Sequence, residues 1–218
     1  MKALVILSGG LDSTTALYWA IKEYDYVETI TFNYGSKHND IENKYAKMTC
    51  DRLGIKNTLI HLDFINNYFK SDLLKTGGEV PNGYYNKDNI KSTVVPFRNG
   101  IMLSIASGFA ESNGLDVIIL GNHSGDHVIY PDCRPEFIDS ISKAIYNGTD
   151  SHIKVLSPFC NISKKDIIKI GNDLGVDFSL TYSCYKGKEK HCGKCGTCQE
   201  RKKSFQELGI KDPTEYEE

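Results

Sequence analysis

Apolar residues along this chain fall into two rhythms. Short unbroken apolar runs, suited to strands buried on both faces of a parallel sheet, alternate with longer stretches whose apolar positions recur at helical spacing. The first run, Ala3 to Leu7, starts almost at the N-terminus, and Ala16, Leu17, Ala20 and Ile21 follow it at helical spacing. Tyr26 to Phe32, Asn57 to Leu62, Leu115 to Leu120 and Ile153 to Ser157 read as further strands. Helices are predicted over Asn39 to Leu53, with Ile41, Tyr45, Met48 and Leu53 on the apolar side, and over Ile101 to Ser112, Pro135 to Tyr146 and Lys164 to Leu174. This alternation predicts an α/β fold, a five-stranded parallel sheet flanked by helices, with any ligand beyond the C-terminal ends of the strands. From Asp63 to Val94 the pattern weakens around Gly77, Gly78, Pro81, Asn82 and Gly83. That segment is long for a connector and is expected to be mobile over the site.

Composition narrows the class. With 218 residues the chain is long enough for one well-buried core and a small appendage. A net charge of −2, with 25% charged and 40% hydrophobic residues, provides no global basic field for nucleic acid. No apolar run is long enough to span a membrane, and the first residues already read as a strand rather than a signal or transit peptide, so a cytoplasmic protein is expected.

The turn between the first strand and the first helix reads Ser8-Gly9-Gly10-Leu11-Asp12-Ser13-Thr14. Gly9 and Gly10 let the backbone approach a ligand closely, and Asp12 or Ser13 is suited to start a helix. Such a loop aims backbone N–H groups and the positive end of a helix dipole at one point, with the hydroxyls of Ser8, Ser13 and Thr14 beside them. Its natural occupant is an anion. It has no Lys of the P-loop kind and no GxGxxG, which suggests chemistry at an α-phosphate with pyrophosphate as the leaving group.

Other candidates follow in chain order. Arg98 and Lys164 sit at helix starts, against the dipole; an anionic partner is favoured for Arg98, while for Lys164 such a partner would explain the charge and a solvated face is the simpler account. His38 reads as a capping or packing residue. Asp132, Arg134 and Glu136 surround a rigid turn with two prolines, Pro131 and Pro135, and are suited to clamp a polar heterocycle. His123, Asp126 and His127 admit a metal reading, but no further ligand has a recognisable spacing. Cys184, Cys192, Cys195 and Cys198 have the spacing of a closed structural zinc site; an iron–sulfur cluster and a redox CxxC pair are the alternatives. The isolated Cys50, Cys133 and Cys160 read as ordinary small side chains, with Cys133 held in reserve as a nucleophile.

The SGGLDST loop resembles the signature of the PP-loop ATP pyrophosphatases. Together with VPFRN, YPDCRPEF, SCY, CGKCGTCQER and DPTEY, spread from residue 8 to residue 216, it resembles the QueC family of 7-cyano-7-deazaguanine synthases. The family's Asp-Tyr-Gly-Gln-Arg-His pattern is here Asn33-Tyr34-Gly35-Ser36-Lys37-His38. The resemblance implies a PP-loop ATP-binding domain over residues 1–178 and a zinc-binding region over residues 179–218. It implies that 7-carboxy-7-deazaguanine, ammonia and ATP are converted to the nitrile through adenylated acid and adenylated amide. Ser8 to Thr14 would hold the phosphates, with Asp12 a ligand of Mg2+, and Phe32, Tyr34 and Gly35 would lie beside the adenine. Lys164 and Arg98 would offset phosphate charge, while Asp126, Asp132, Arg134 and Glu136 would bind the deazaguanine. A homodimer that uses free ammonia, with no direct nucleic-acid partner, completes the expectation. A tRNA-thiolating relative and a zinc-ribbon nucleic-acid-binding module are the competing classes.

Overall fold

The computed structural model describes residues 1–83 and 91–217. Five strands, β1 (Lys2–Ile6), β2 (Tyr26–Asn33), β3 (Asn57–His61), β4 (Val117–Ile119) and β5 (Lys154–Leu156), form one parallel sheet in the order β3-β2-β1-β4-β5. Ala3 pairs with Val27 on one side and Val117 on the other, which makes β1 the centre of the sheet. The chain runs outward through β2 and β3 and then returns to the opposite side of β1. That reversal opens a crevice at the C-terminal ends of β1 and β4, where ligands of open α/β sheets bind.

The period of two along β1 divides the core. Leu4 and Ile6 face α4 (Arg98–Ser112) and α5 (Pro135–Gly148), through Leu103, Ala106, Ala110, Ile138 and Ile145. Ala3, Val5 and Leu7 face the opposite layer. That layer holds α1 (Leu11–Glu23), α2 (Asn39–Leu53), α6 (Lys164–Asp173) and α7 (Gly196–Leu208), whose buried residues include Ala16, Leu17, Ala46, Ile167 and Phe205. Both faces of the sheet are therefore covered, as its unbroken apolar strands require.

Several boundaries differ from the sequence pattern. Helix α1 starts at Leu11 behind Gly10, so neither Asp12 nor Ser13 is its cap. Helix α4 begins at Arg98 instead of Ile101, because Phe97 turns through φ 53° and the Asn99 N–H finds an acceptor in Asp132 Oδ2 at 2.8 Å. Ile21 and Met48, assigned to apolar faces, are exposed. Pro135 at the start of α5 and the Ser163–Asp166 capping box of α6 are as the sequence indicates.

The segment 63–94 contains α3 (Asp63–Tyr68) and then turns inward. Leu73, Leu74 and Val80 are buried in the core, and none of the residues 63–83 lines the crevice. Over those residues the expected lid is packed structure; residues 84–90 of the segment lie outside the described residues.

Candidate active site

The crevice is floored by the turn after β1. Gly9 has φ +84°, and a Cβ there would lie 2.3 Å from the Glu42 carbonyl oxygen, so only glycine lets α2 pack against the turn. The turn is braced from within: the Ser8 and Gly10 N–H groups donate to Ser13 Oγ and Ser8 Oγ, each at 3.1 Å. The first-turn amides of α1 have no carbonyl one turn back inside the helix, so they are oriented toward the crevice as anion donors.

One ion-pair network faces these amides. Lys164 Nζ donates to Asp12 Oδ2 and lies 3.9 Å from Glu200. Burial works against the Lys164 charge, but Asp12, Glu200 and Asp126 outweigh it and hold the ammonium above the ordinary lysine value. Asp12 Oδ1 and Thr14 Oγ1 are buried with no hydrogen-bond partner among the described residues. A carboxylate oxygen in that state fits a hard cation such as Mg2+, which takes oxygen ligands.

Across the crevice stands an aromatic and cationic wall. Arg98 donates to Tyr34 Oη at 3.1 Å, with its guanidinium carbon 5.6 Å from the Tyr34 ring centre. Burial opposes the Arg98 charge, yet Tyr34, Tyr185, Asp132 and Cys133 keep it above the usual arginine value. His38 stacks on Tyr185 at 5.0 Å between ring centres, and burial together with Arg98 depresses its pKa to about 3. Glu42 is pushed up to about 8 by burial, partly offset by Arg98.

Of the sequence candidates, Ser8, Gly10, Leu11, Asp12, Ser13, Phe32, Tyr34, Arg98, Asp126 and Lys164 line this single crevice. Gly9 and Thr14 lie behind the turn, and Gly35 is spoken for by packing, since a Cβ there would meet Asn66 at 2.4 Å. Asp132, Arg134 and Glu136 are not on the crevice wall. Asp132 accepts from the Asn99 N–H, Arg134 Nε donates to the His127 carbonyl at 3.0 Å, and Glu136 is exposed in the first turn of α5. Asp132 and Arg134 are therefore engaged in holding their own turn, and Asp126 is the candidate that reaches the opening.

His123, Asp126 and His127 do not assemble as a metal trio. His123 Nδ1 accepts from the Gly125 N–H, whereas His127 Nε2 faces Cys160 Sγ at 3.5 Å. Cys133 does line the crevice, but burial, with Asp126 and Asp132 nearby, drives its pKa up and leaves it a thiol, hydrogen-bonded by Asn99 Nδ2 at 3.1 Å. That is the opposite of an activated nucleophile.

The sulfurs of Cys184, Cys192, Cys195 and Cys198 all lie within 4.8 Å of one another and are buried. Backbone N–H groups of Lys186, Cys192, Lys194 and Cys195 point at them, the outer-shell pattern of a thiolate metal site. Its chain neighbours Tyr182, Ser183, Tyr185, Thr197, Glu200 and Arg201 form the far wall of the crevice. Sequence reasoning missed these residues, although the motifs around the cysteines contain all but Tyr182. It also missed Glu42 and gave His38 only a packing role. Nothing in the period of α2 marks one polar position above another.

With this geometry in view, the comparisons are decisive. The family model described as queuosine biosynthesis protein QueC matches residues 2–209. The chain belongs to the QueC family. It is 51% identical over 215 residues to the 7-cyano-7-deazaguanine synthase of Porphyromonas gingivalis strain ATCC 33277, covering 99% of this chain and 97% of that one. It is 48% identical to the 7-cyano-7-deazaguanine synthase of Desulfotalea psychrophila, covering 98% of each chain. Among solved structures, a 4-thiouridine synthetase in complex with RNA and bound ATP matches with a TM-score of 0.56 at 19% identity, over 95% of this chain and 50% of that one. This last likeness is one of fold.

Proposed function

We propose that the chain is an ATP-dependent 7-cyano-7-deazaguanine synthase acting on 7-carboxy-7-deazaguanine and ammonia. The observation that carries this reading is 48–51% identity across nearly the whole chain to relatives of that name. The crevice supplies the chemistry the conversion needs. A carboxylate is a poor electrophile; its oxygen attacks the α-phosphorus of ATP, pyrophosphate leaves, and the acid becomes an acyl adenylate. Ammonia then adds to the carbonyl carbon, and AMP departs with the former carboxylate oxygen to leave an amide. The amide oxygen attacks a second ATP in the same way, and loss of AMP with two protons gives the nitrile.

Each adenylation builds negative charge on the bridging and departing phosphate oxygens. The first-turn amides of α1, at Leu11, Asp12 and Ser13, and the Lys164 ammonium would be fixed before the reaction near the developing charge, which is worth more than donors that must reorganise. Asp12, with its unpartnered Oδ1, would hold Mg2+, and the ion would supply neutralisation of phosphate charge. Arg98, across the crevice, is placed for the carboxylate of the acid or for the α-phosphate. Asp126 is the substrate contact that the opening supports, and Asp132 and Arg134 act by holding the turn beside it. The four cysteines form a closed set suited to zinc in a structural role. Cytoplasmic residence and a homodimer belong to the same proposal.

The test is mass spectrometry of products after incubation with 7-carboxy-7-deazaguanine, ammonium and Mg-ATP. Nitrile with AMP and pyrophosphate is the expected result. ADP in place of AMP would refute adenylation, amide alone would mark an enzyme that stops halfway, and unchanged acid would overturn the reading.

A further inference from the structure

Among the described residues, four carboxylates line the crevice: Asp12, Glu42, Asp126 and Glu200. Three are already engaged. Asp12 is bonded to Lys164, Glu200 lies 3.9 Å from the same ammonium, and Asp126 Oδ2 accepts the His123 N–H at 3.2 Å. Glu42 is different. Its side chain is 13% exposed, yet its only ionic neighbour within 4 Å among the described residues is His38 Nε2 at 3.7 Å, and its carboxyl makes no hydrogen bond among them. Because burial keeps the His38 imidazole neutral at physiological pH, this contact is not an ion pair there. A half-buried carboxyl that faces a ligand crevice with its acceptors uncommitted is available to a ligand that brings N–H donors.

The surroundings specify the chemistry. Tyr34, His38 and Tyr185 flank Glu42 on the crevice wall with aromatic rings, a surface for a flat heterocycle. A carboxylate offers acceptors only, so it pairs with an edge that presents adjacent N–H donors. The adenine edge alternates an acceptor with a donor and does not match. The pyrimidine edge of a 7-deazaguanine, with ring N1–H beside the 2-amino group, does match.

We propose that Glu42 is a specificity residue of the crevice, its two carboxylate oxygens accepting the N1–H and 2-amino N–H of the deazaguanine ring. This rests on the synthase reading above. In the free chain burial pushes Glu42 up to about 8 and only part of that rise is offset by Arg98; the two ring N–H donors favour the carboxylate, so the group gives up its proton as the ring is seated.

Equilibrium binding, read by calorimetry without turnover, tests the assignment on the full chain. The wild-type chain is expected to bind 7-carboxy-7-deazaguanine about 100-fold or more tightly than the analogue without the 2-amino group. Glu42→Gln is close in shape, but its amide NH2 opposes a ring donor. It is expected to weaken the guanine-type acid by roughly 10- to 100-fold and to erase the preference between the two acids, with ATP affinity unchanged within about 2-fold. Equal wild-type affinity for the two acids would overturn the proposal without any variant, as would an intact preference in Glu42→Gln. Weakened ATP binding with unchanged acid binding would assign Glu42 to the nucleotide and overturn it too. Failure of the wild-type chain to bind the acid at all would remove the synthase reading and this proposal together. Binding with the preference intact but no nitrile formed would support Glu42 while refuting the synthase reading alone.

Discussion

Lys164 and Asp12 meet across 152 positions of sequence, and in the proposed reaction this cation would offset phosphate charge in both adenylation steps. Lys164→Met removes that charge and leaves Asp12 without its partner. We expect kcat/KM for ATP to fall by roughly 100- to 1000-fold, the scale seen when a preorganised donor to developing charge is removed. A fall of less than about 3-fold would show that the charge acts elsewhere. Glu42 gives a second prediction at this scale, on stability instead of rate. Its folded pKa of about 8 lies above its ordinary 4.5, so between those values the unfolded chain is ionised and the native chain keeps the proton. Stability from this group is fully present below about pH 4.5 and declines as pH rises to about 8. Glu42→Gln lacks this decline. Its melting temperature relative to wild type should therefore rise between about pH 5 and pH 8 and then level off. A difference that stays flat across that window would show that Glu42 is not buried as a neutral acid. His38 has the opposite sign, with stability lost as pH falls from 6.5 toward about 3, but it is common to both proteins and cancels in the difference. Lys164 could be found in the sequence because it opens a capping-box helix against the dipole. Glu42 could not, since its meaning comes from what Arg98, Tyr185 and the turn after β1 place around it.

At the scale of elements, the turn after β1 depends on how closely α2 approaches it. Gly9 and Gly54 both have positive φ, +84° and +65°, but a Cβ at Gly54 would meet nothing within 4 Å, whereas at Gly9 it would strike the Glu42 carbonyl oxygen at 2.3 Å and the Ala46 nitrogen at 2.8 Å. Gly54→Ala should therefore show only left-handed backbone strain, about 1–2 kcal/mol by denaturant titration. Gly9→Ala should lose clearly more and also lose ATP binding, because relief of the clash requires the turn or α2 to move. Equal losses in the two variants would contradict the close approach. The five strands were readable as short apolar runs ended by glycine or polar residues, and α2 as a longer segment with helical period. Helix α3 was not, since six residues carry too little period to separate helix from loop, and the inward turn of Leu73 and Leu74 is a tertiary choice that local pattern does not encode.

For the whole molecule, the cysteine-bearing segment and the sheet domain share one crevice. The Tyr182 N–H donates to the Gly9 carbonyl at 2.9 Å, and its ring stacks on Tyr45 of α2 at 5.9 Å between centres. Arg201, 1% exposed, is tied to Asp212 at 3.1 Å and to the Phe178 carbonyl at 3.0 Å, which fixes α7 to the chain on both sides of the cysteines. The metal-site spacing was legible in the sequence, but this coupling was not, because spacing identifies ligands and says nothing of what their neighbours face. If the four thiolates hold a structural ion, the energy of binding it is folding energy for the segment that carries Tyr182, Ser183, Tyr185, Thr197 and Glu200. Removal of the metal by a chelator, or Cys198→Ser, should then abolish turnover although no ligand touches substrate. Hydrogen exchange should show lost protection in the 179–209 segment and in the Ser8–Thr14 turn, while the β1 and β4 amides at the sheet centre keep most of theirs. Lost protection confined to residues 184–198 with turnover intact would mean that the metal region is an appendage and that the crevice stands without it.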